Sequence, residues 1–192
     1  MRRLFAGLLC LPVLASAQTR PRKIFISADM EGITGVVQPA QLGPDGFEVH
    51  LVGGQDPPAA FVDGLRHPAV RLRGQISSPE HEFFSAHVLL APNPTTTGAS
   101  ARILSGLTFG SCIVAHTDSV VGIPELAHGR NSLMAADGPG LARETLLALR
   151  DQGLPERLGD EARALYESSF SPPAAAGRIV AELERLAAAG SV

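Results

Sequence analysis

From Glu48 onward, short apolar runs alternate with segments of helical character, and that rhythm restricts the fold to a parallel sheet with helical crossovers. The extended runs are Glu48 to Val52, Val70 to Arg73, Val88 to Ala91, Cys112 to Ala115 and Ser132 to Ala135. Between them, Phe61 to Arg66, Pro79 to Ala86 and Arg102 to Phe109 read as helical, and Glu125 to Ala127 as a helical turn. Three helices finish the chain. In the last of them Ser171 is placed to cap, Pro172 and Pro173 suit the first turn, and Ile179, Leu183 and Leu186 share one face, which predicts packing on a sheet. Ahead of this pattern, Lys23 to Ala28 reads as a buried strand that stops in the polar loop Asp29-Met30-Glu31-Gly32. Gln38 to Gly46 has no periodic apolar face and reads as a loop or a seam. The expected fold is a single α/β domain with a mostly parallel, Rossmann-like sheet flanked by helices.

The first residues differ in kind. Arg2 and Arg3 precede an apolar stretch from Leu4 to Leu14, followed by Ala15-Ser16-Ala17, the pattern of a secretory signal peptide over residues 1–17. The stretch is too short for a stable membrane span, which needs roughly 20 residues, so the expected location is secreted or periplasmic. Cys10 would leave with the leader, and Cys112 then has no partner for a disulfide. A net charge of -3 and a pI near 6.1 provide no basic field, which argues against nucleic acid as a partner.

Several stretches carry a resemblance. In order they are LVGG (Leu51 to Gly54), VRLRGQI (Val70 to Ile76), AHVLLAPN (Ala86 to Asn93), GASARILSGL (Gly98 to Leu107), FGSCIVAHTDSVVGIPEL (Phe109 to Leu126) and LGDEARALYESSFSP (Leu158 to Pro172). Residues 47–192 on this basis resemble the C-terminal, nucleotide-sugar-binding domain of the group 1 retaining glycosyltransferases, which is one half of a GT-B fold. A helix N-terminus offers unpaired N–H groups and a favourable dipole to a diphosphate. Thr97 and Gly98 stand where that helix begins, and Arg102, one turn in, adds positive charge. The resemblance further implies that Gly53 lies on the same rim, that Gly74, Gln75 and Ile76 contact the base through their backbone, and that Thr117, Asp118, Ser119 and Gly122 to Glu125 line the sugar side.

Ser105 stands where this family usually has a glutamate that accepts hydrogen bonds from the ribose hydroxyls. Losing a charge-assisted hydrogen bond costs about 1.5–3 kcal/mol, which implies weak donor binding. The resemblance implies no cofactor. It also implies an acceptor-binding domain that this chain lacks, so transfer by the chain alone is not expected.

Lys23 to Val37, KIFISADMEGITGVV, resembles the opening of the zinc-dependent D-aminopeptidases linked to dipeptide permeases. In that family the Asp and Glu of the D-x-E-G segment are metal ligands, which implies Asp29 and Glu31 as zinc ligands here. Alternate residues at a strand end can turn toward one ion, and carboxylate oxygens suit zinc at about 2.0–2.2 Å. Residues 18–46 are assigned to this smaller part. His81-Glu82-Phe83-Phe84-Ser85 is not a zincin helix, because Ser85 replaces the second histidine. His116 either faces the cleft or is satisfied by backbone.

The expectations, then, are a glycosyltransferase donor domain of hexosyltransferase type, a zinc-dependent D-aminopeptidase with an incomplete metal site, or an inactive fusion of the two parts. Asp29, Gly53, Gly74, Asn93, Thr117 and Asp118 are expected on one rim, beyond the C-terminal ends of the strands.

Overall fold

The computed structural model describes residues 22–27, 46–53, 63, 66–94 and 99–189. Six strands form one sheet: β1 (Arg22–Ser27), β2 (Phe47–Val52), β3 (Val70–Gly74), β4 (Val88–Ala91), β5 (Ile113–His116) and β6 (Leu133–Ala135). Their order is β3-β2-β1-β4-β5-β6, and every pairing is parallel. The helices are α1 (Glu80–Ser85), α2 (Ala101–Thr108), α3 (Gly138–Arg150), α4 (Leu154–Leu165) and α5 (Pro172–Ala189). The α/β class and the parallel sheet are as the sequence predicts. The helical reading of Phe61 to Arg66 falls largely outside the described residues.

Strands buried on both faces read as continuous apolar runs, and β4 and β5 are buried along their whole length. On one face Ile24, Ile26, Val49, Leu51, Val88, Leu90 and Val114 pack under Leu141 and Leu149 of α3 and Leu158 of α4. On the other, Phe25, Leu89, Ile113 and Ala115 pack under Phe83 of α1, Ile103 and Leu107 of α2 and Ala162 of α4. Helix α2 lies directly on this face at Gly106, where an added Cβ would sit 2.5 Å from Leu89 Cδ2 and 3.1 Å from Ile113 Cδ1. Helix α4 meets the turn after α2 backbone to backbone, with Gly159 against Gly110, whose φ is +63°.

β1 is the central strand, pairing with β2 from Arg22↔Phe47 to Ser27↔Val52 and with β4 from Ile24↔Val88 to Ile26↔Leu90. Lys23, on the face of β1 that α1 covers, is held by side chains. The ammonium lies 2.5 Å from Glu82 Oε2 of α1 and donates to Ser85 Oγ at 2.7 Å. The same Glu82 oxygen is 3.1 Å from His50 Nδ1, whose Nε2 is 3.2 Å from Glu48 Oε2. Arg71 and Arg73 of β3 complete the cluster at 3.6 Å from Glu48 and Glu82. The contact to His50 holds the Glu48 carboxyl below the usual carboxylate range against its own desolvation. For Glu82 burial pushes upward, but hydrogen bonding and charge from Lys23, with His50, outweigh it and the carboxyl titrates low.

Three local expectations are corrected. Glu125 to Ala127 is not helical: the 3-10 turn lies earlier, at Thr117–Val120, where Asp118 N–H bonds back to His116 Nδ1 and winds the chain as it leaves β5. Before α5, the chain passes through a π-helical turn, Tyr166–Phe170, and the Ser171 hydroxyl turns back to donate to the Glu167 carbonyl at 2.8 Å instead of capping forward. Finally, α5 does not lay its apolar face on the sheet. Ile179, Leu183 and Leu186 are 61%, 60% and 52% exposed, because the helix departs from the π turn and has no buried residue.

Candidate functional site

In a parallel sheet all strand C-termini share one edge, and the connections leave in opposite directions on either side of the switch point, here between β1 and β4. Gly53, Gly74, Gln75 and Ile76 follow β2 and β3 on one side, and Gly53 N–H donates to Gly74 O at 3.2 Å. Gln75 is exposed, while Ile76 is partly buried and packs on the α1–α2 side of the core. Asn93 follows β4, and Thr117, Asp118 and Ser119 follow β5. The expected rim is therefore present for Gly53, Gly74, Asn93, Thr117 and Asp118, in two sets with β1 between them. Asp29, Glu31, Thr97 and Gly98 lie outside the described residues, and the helix expected to begin at Thr97 and Gly98 begins instead at Ala101, with Ser100 as its N-cap.

The β4–β5 set is the better defined. Ser119 is buried and its hydroxyl donates to the Asn93 carbonyl, tying the chain after β5 to the chain after β4. Asn93 is itself buried, and its Oδ1 has no partner among the described residues. A buried acceptor left unpaired costs about 1–3 kcal/mol. Helix α2 begins eight residues further along the chain, at Ala101 (101 against 93). Its N-cap, Ser100, is extended and makes no side-chain capping bond, and its first turn contains no acidic residue. The Ser100 side chain thus leaves the leading N–H groups of α2 uncapped, and Arg102 stands among them. Ser105 is three residues further on, which puts it on the same side of the helix, and it is half-buried.

His116 resolves as a histidine satisfied by backbone. Its Nδ1 accepts from Asp118 N–H at 3.1 Å and its Nε2 faces the Ala136 carbonyl at 2.8 Å, so Nε2 carries the proton. With both nitrogens engaged it pins β5 to the chain after β6 and is no free base. Thr117 and Asp118 are exposed at this edge, and Glu125 is half-buried on the segment that leads away from it. The Glu125 carbonyl accepts from Asn131 Nδ2 at 3.1 Å, and its Oε1 is 3.6 Å from Arg178 of α5. Arg178 carries no sequence signal, since its partner is 53 positions away by number (178 against 125).

Among the described residues no three His, Cys, Asp or Glu side chains come together as a metal site, and no helix is long and apolar enough to cross a membrane. Cys112 is buried beside β5, which pushes its thiol up to about 12.

Comparison with known proteins gives two overlapping kinds of match. A D-aminopeptidase family model (peptidase M55) matches residues 22–53, the stretch containing both β1 and β2. Among curated proteins, none matches the sequence. Solved structures of glycosyltransferases share the fold over most of the chain. HepE from Anabaena, solved with UDP, superposes with a TM-score of 0.72 at 15% identity over 86% of this chain and 49% of its own. Sucrose-phosphate synthase from Thermosynechococcus elongatus gives 0.69 at 16% identity, over 89% and 47%. The C-terminal domain of LpcC, a group 1 family glycosyl transferase from Francisella tularensis, gives 0.61 at 12% identity over 81% of this chain and 95% of that domain. The chain spans about half the length of the first two, 49% and 47%.

Proposed function

We propose that this chain is the nucleotide-sugar-binding half of a glycosyltransferase, taking a nucleoside diphosphate sugar of the kind bound by its structural neighbours. One observation carries the reading: α2 presents an N-terminus that its N-cap side chain, Ser100, does not cap, with Arg102 in its first turn, at the switch-point edge of a GT-B-like sheet. There the diphosphate accepts hydrogen bonds from the leading N–H groups, with Thr97 and Gly98 admitting its approach and Arg102 adding charge. Ser105 makes a weaker contact to ribose than a carboxylate would. Gly53 and the backbone of Gly74 to Ile76 face the base, and Thr117 to Ser119 with Glu125 face the sugar. A ligand hydroxyl would satisfy Asn93 Oδ1.

Retaining transfer also needs an acceptor held across the cleft, which on this reading a second half supplies. The donor half requires no cofactor. Export by the leader-like residues 1–17 is part of the proposal, and N-terminal sequencing of the secreted chain should then begin at Gln18. The family match over residues 22–53 favours a second reading, a zinc D-aminopeptidase with Asp29 and Glu31 as ligands. A thermal-shift series with UDP, GDP, ADP and Zn²⁺ separates the two. A ligand at 100 times its dissociation constant stabilises by about 2.7 kcal/mol. One nucleotide should raise the melt of the parent and not of Arg102→Ala. A shift with Zn²⁺ alone would favour the peptidase, and no shift at all would end both readings.

A further inference from the structure

We propose that Arg178 is a positioning residue of the donor site, setting the carboxylate of Glu125 so that its second oxygen accepts from a hydroxyl of the donor's sugar. The inference rests on the donor reading above and extends it to a residue of the C-terminal helix.

The segment from Val121 to Ala127 leaves the rim without regular structure, so its shape depends on side chains. Asn131 holds its backbone, donating from Nδ2 to Glu125 O at 3.1 Å and accepting from Ala127 N–H on Oδ1 at 2.8 Å. The side chain of Glu125 is held from the opposite direction. Arg178 Nη1 reaches Glu125 Oε1 at 3.6 Å and the Ser169 carbonyl at 3.4 Å, so one guanidinium touches the rim segment and the π turn that launches α5. The remaining carboxylate oxygen, Oε2, is buried and has no partner among the described residues. A carboxylate with one oxygen paired and the other buried and unpaired is costly unless something donates to it. A sugar hydroxyl is a neutral donor that meets this need; a phosphate, which only accepts, does not.

A coupling of this kind separates sugar from nucleotide. Binding of UDP, GDP and ADP and of UDP-glucose, GDP-glucose and ADP-glucose would be measured by calorimetry on the parent, Arg178→Ala, Arg178→Lys, Glu125→Gln and the Ala/Gln double variant. The expected result is that Arg178→Ala and Glu125→Gln each weaken the nucleotide glucose about tenfold and leave the free nucleotide unchanged. Arg178→Lys should restore most of the loss, and the double variant should be no worse than either single one. Equal weakening of nucleotide and nucleotide glucose, no change in either, or additive losses would overturn the positioning role while leaving the donor reading intact. A parent chain that binds none of the six ligands would overturn both.

Discussion

Lys23 Nζ and Glu82 Oε2 lie 2.5 Å apart, joining the central strand to the first described helix with both side chains largely buried. The pair ties a strand inside the stretch that matches the D-aminopeptidase model to a helix outside it. Removing one partner of such a pair leaves an uncompensated charge, partly relieved here by His50 and Arg73. Lys23→Met should therefore cost about 2–3 kcal/mol in denaturant unfolding.

The same cluster sets an acid dependence. Glu48 and Glu82 titrate below the unperturbed 4.5 in the folded chain, so the unfolded chain binds more protons on acidification. Their contribution is fully present above that value and is lost as the pH falls through the folded pKa values. Stability should fall with pH below 4.5 in the parent and less steeply in Lys23→Met, where Glu82 loses its cation. Parallel acid limbs in the two proteins would contradict this.

Gly159 and Gly110 test the contact that seats α4. A methyl at 159 collides with the Gly110 carbonyl, which is backbone and cannot swing away. Gly159→Ala should destabilise by about 2–3 kcal/mol. Gly177→Ala, in exposed α5 with open space around the new methyl, should instead stabilise by about 0.5–1 kcal/mol. The opposite signs exclude a general effect of alanine.

The sheet is legible in the sequence because buried parallel strands are continuous apolar runs: Val88 to Ala91 coincides with β4, and the other runs end within one residue of their strands. The rim followed from the parallel order. Two things were not legible. The apolar spacing of Ile179, Leu183 and Leu186 gives a face but not what the face meets, and the π turn at Tyr166–Phe170 sends α5 off the sheet. Polar contacts over long separations, such as Glu125 with Arg178 or Lys23 with Glu82, leave no periodic trace either.

The exposed face makes its own prediction. Leu183→Asn should change stability by no more than about 0.5 kcal/mol, whereas Leu158→Ala in the core should cost about 2–5 kcal/mol. A large loss at Leu183 would mean that α5 is packed in solution.

Cys112 should be inert in the native state. With its thiol pushed up to about 12 and buried, a Cys10→Ser chain at pH 8 should not react with a disulfide reagent until denaturant is added. Labelling of the native chain at a rate independent of denaturant would contradict the burial of β5.

The most direct test of the donor site is an amide NMR titration of the chain with the nucleotide that raises its melt. Shifts should concentrate at Ala101 to Ile103, at the start of α2, and at Thr117 to Ser119, after β5. Shifts that leave both stretches unmoved, or none at all, would contradict it.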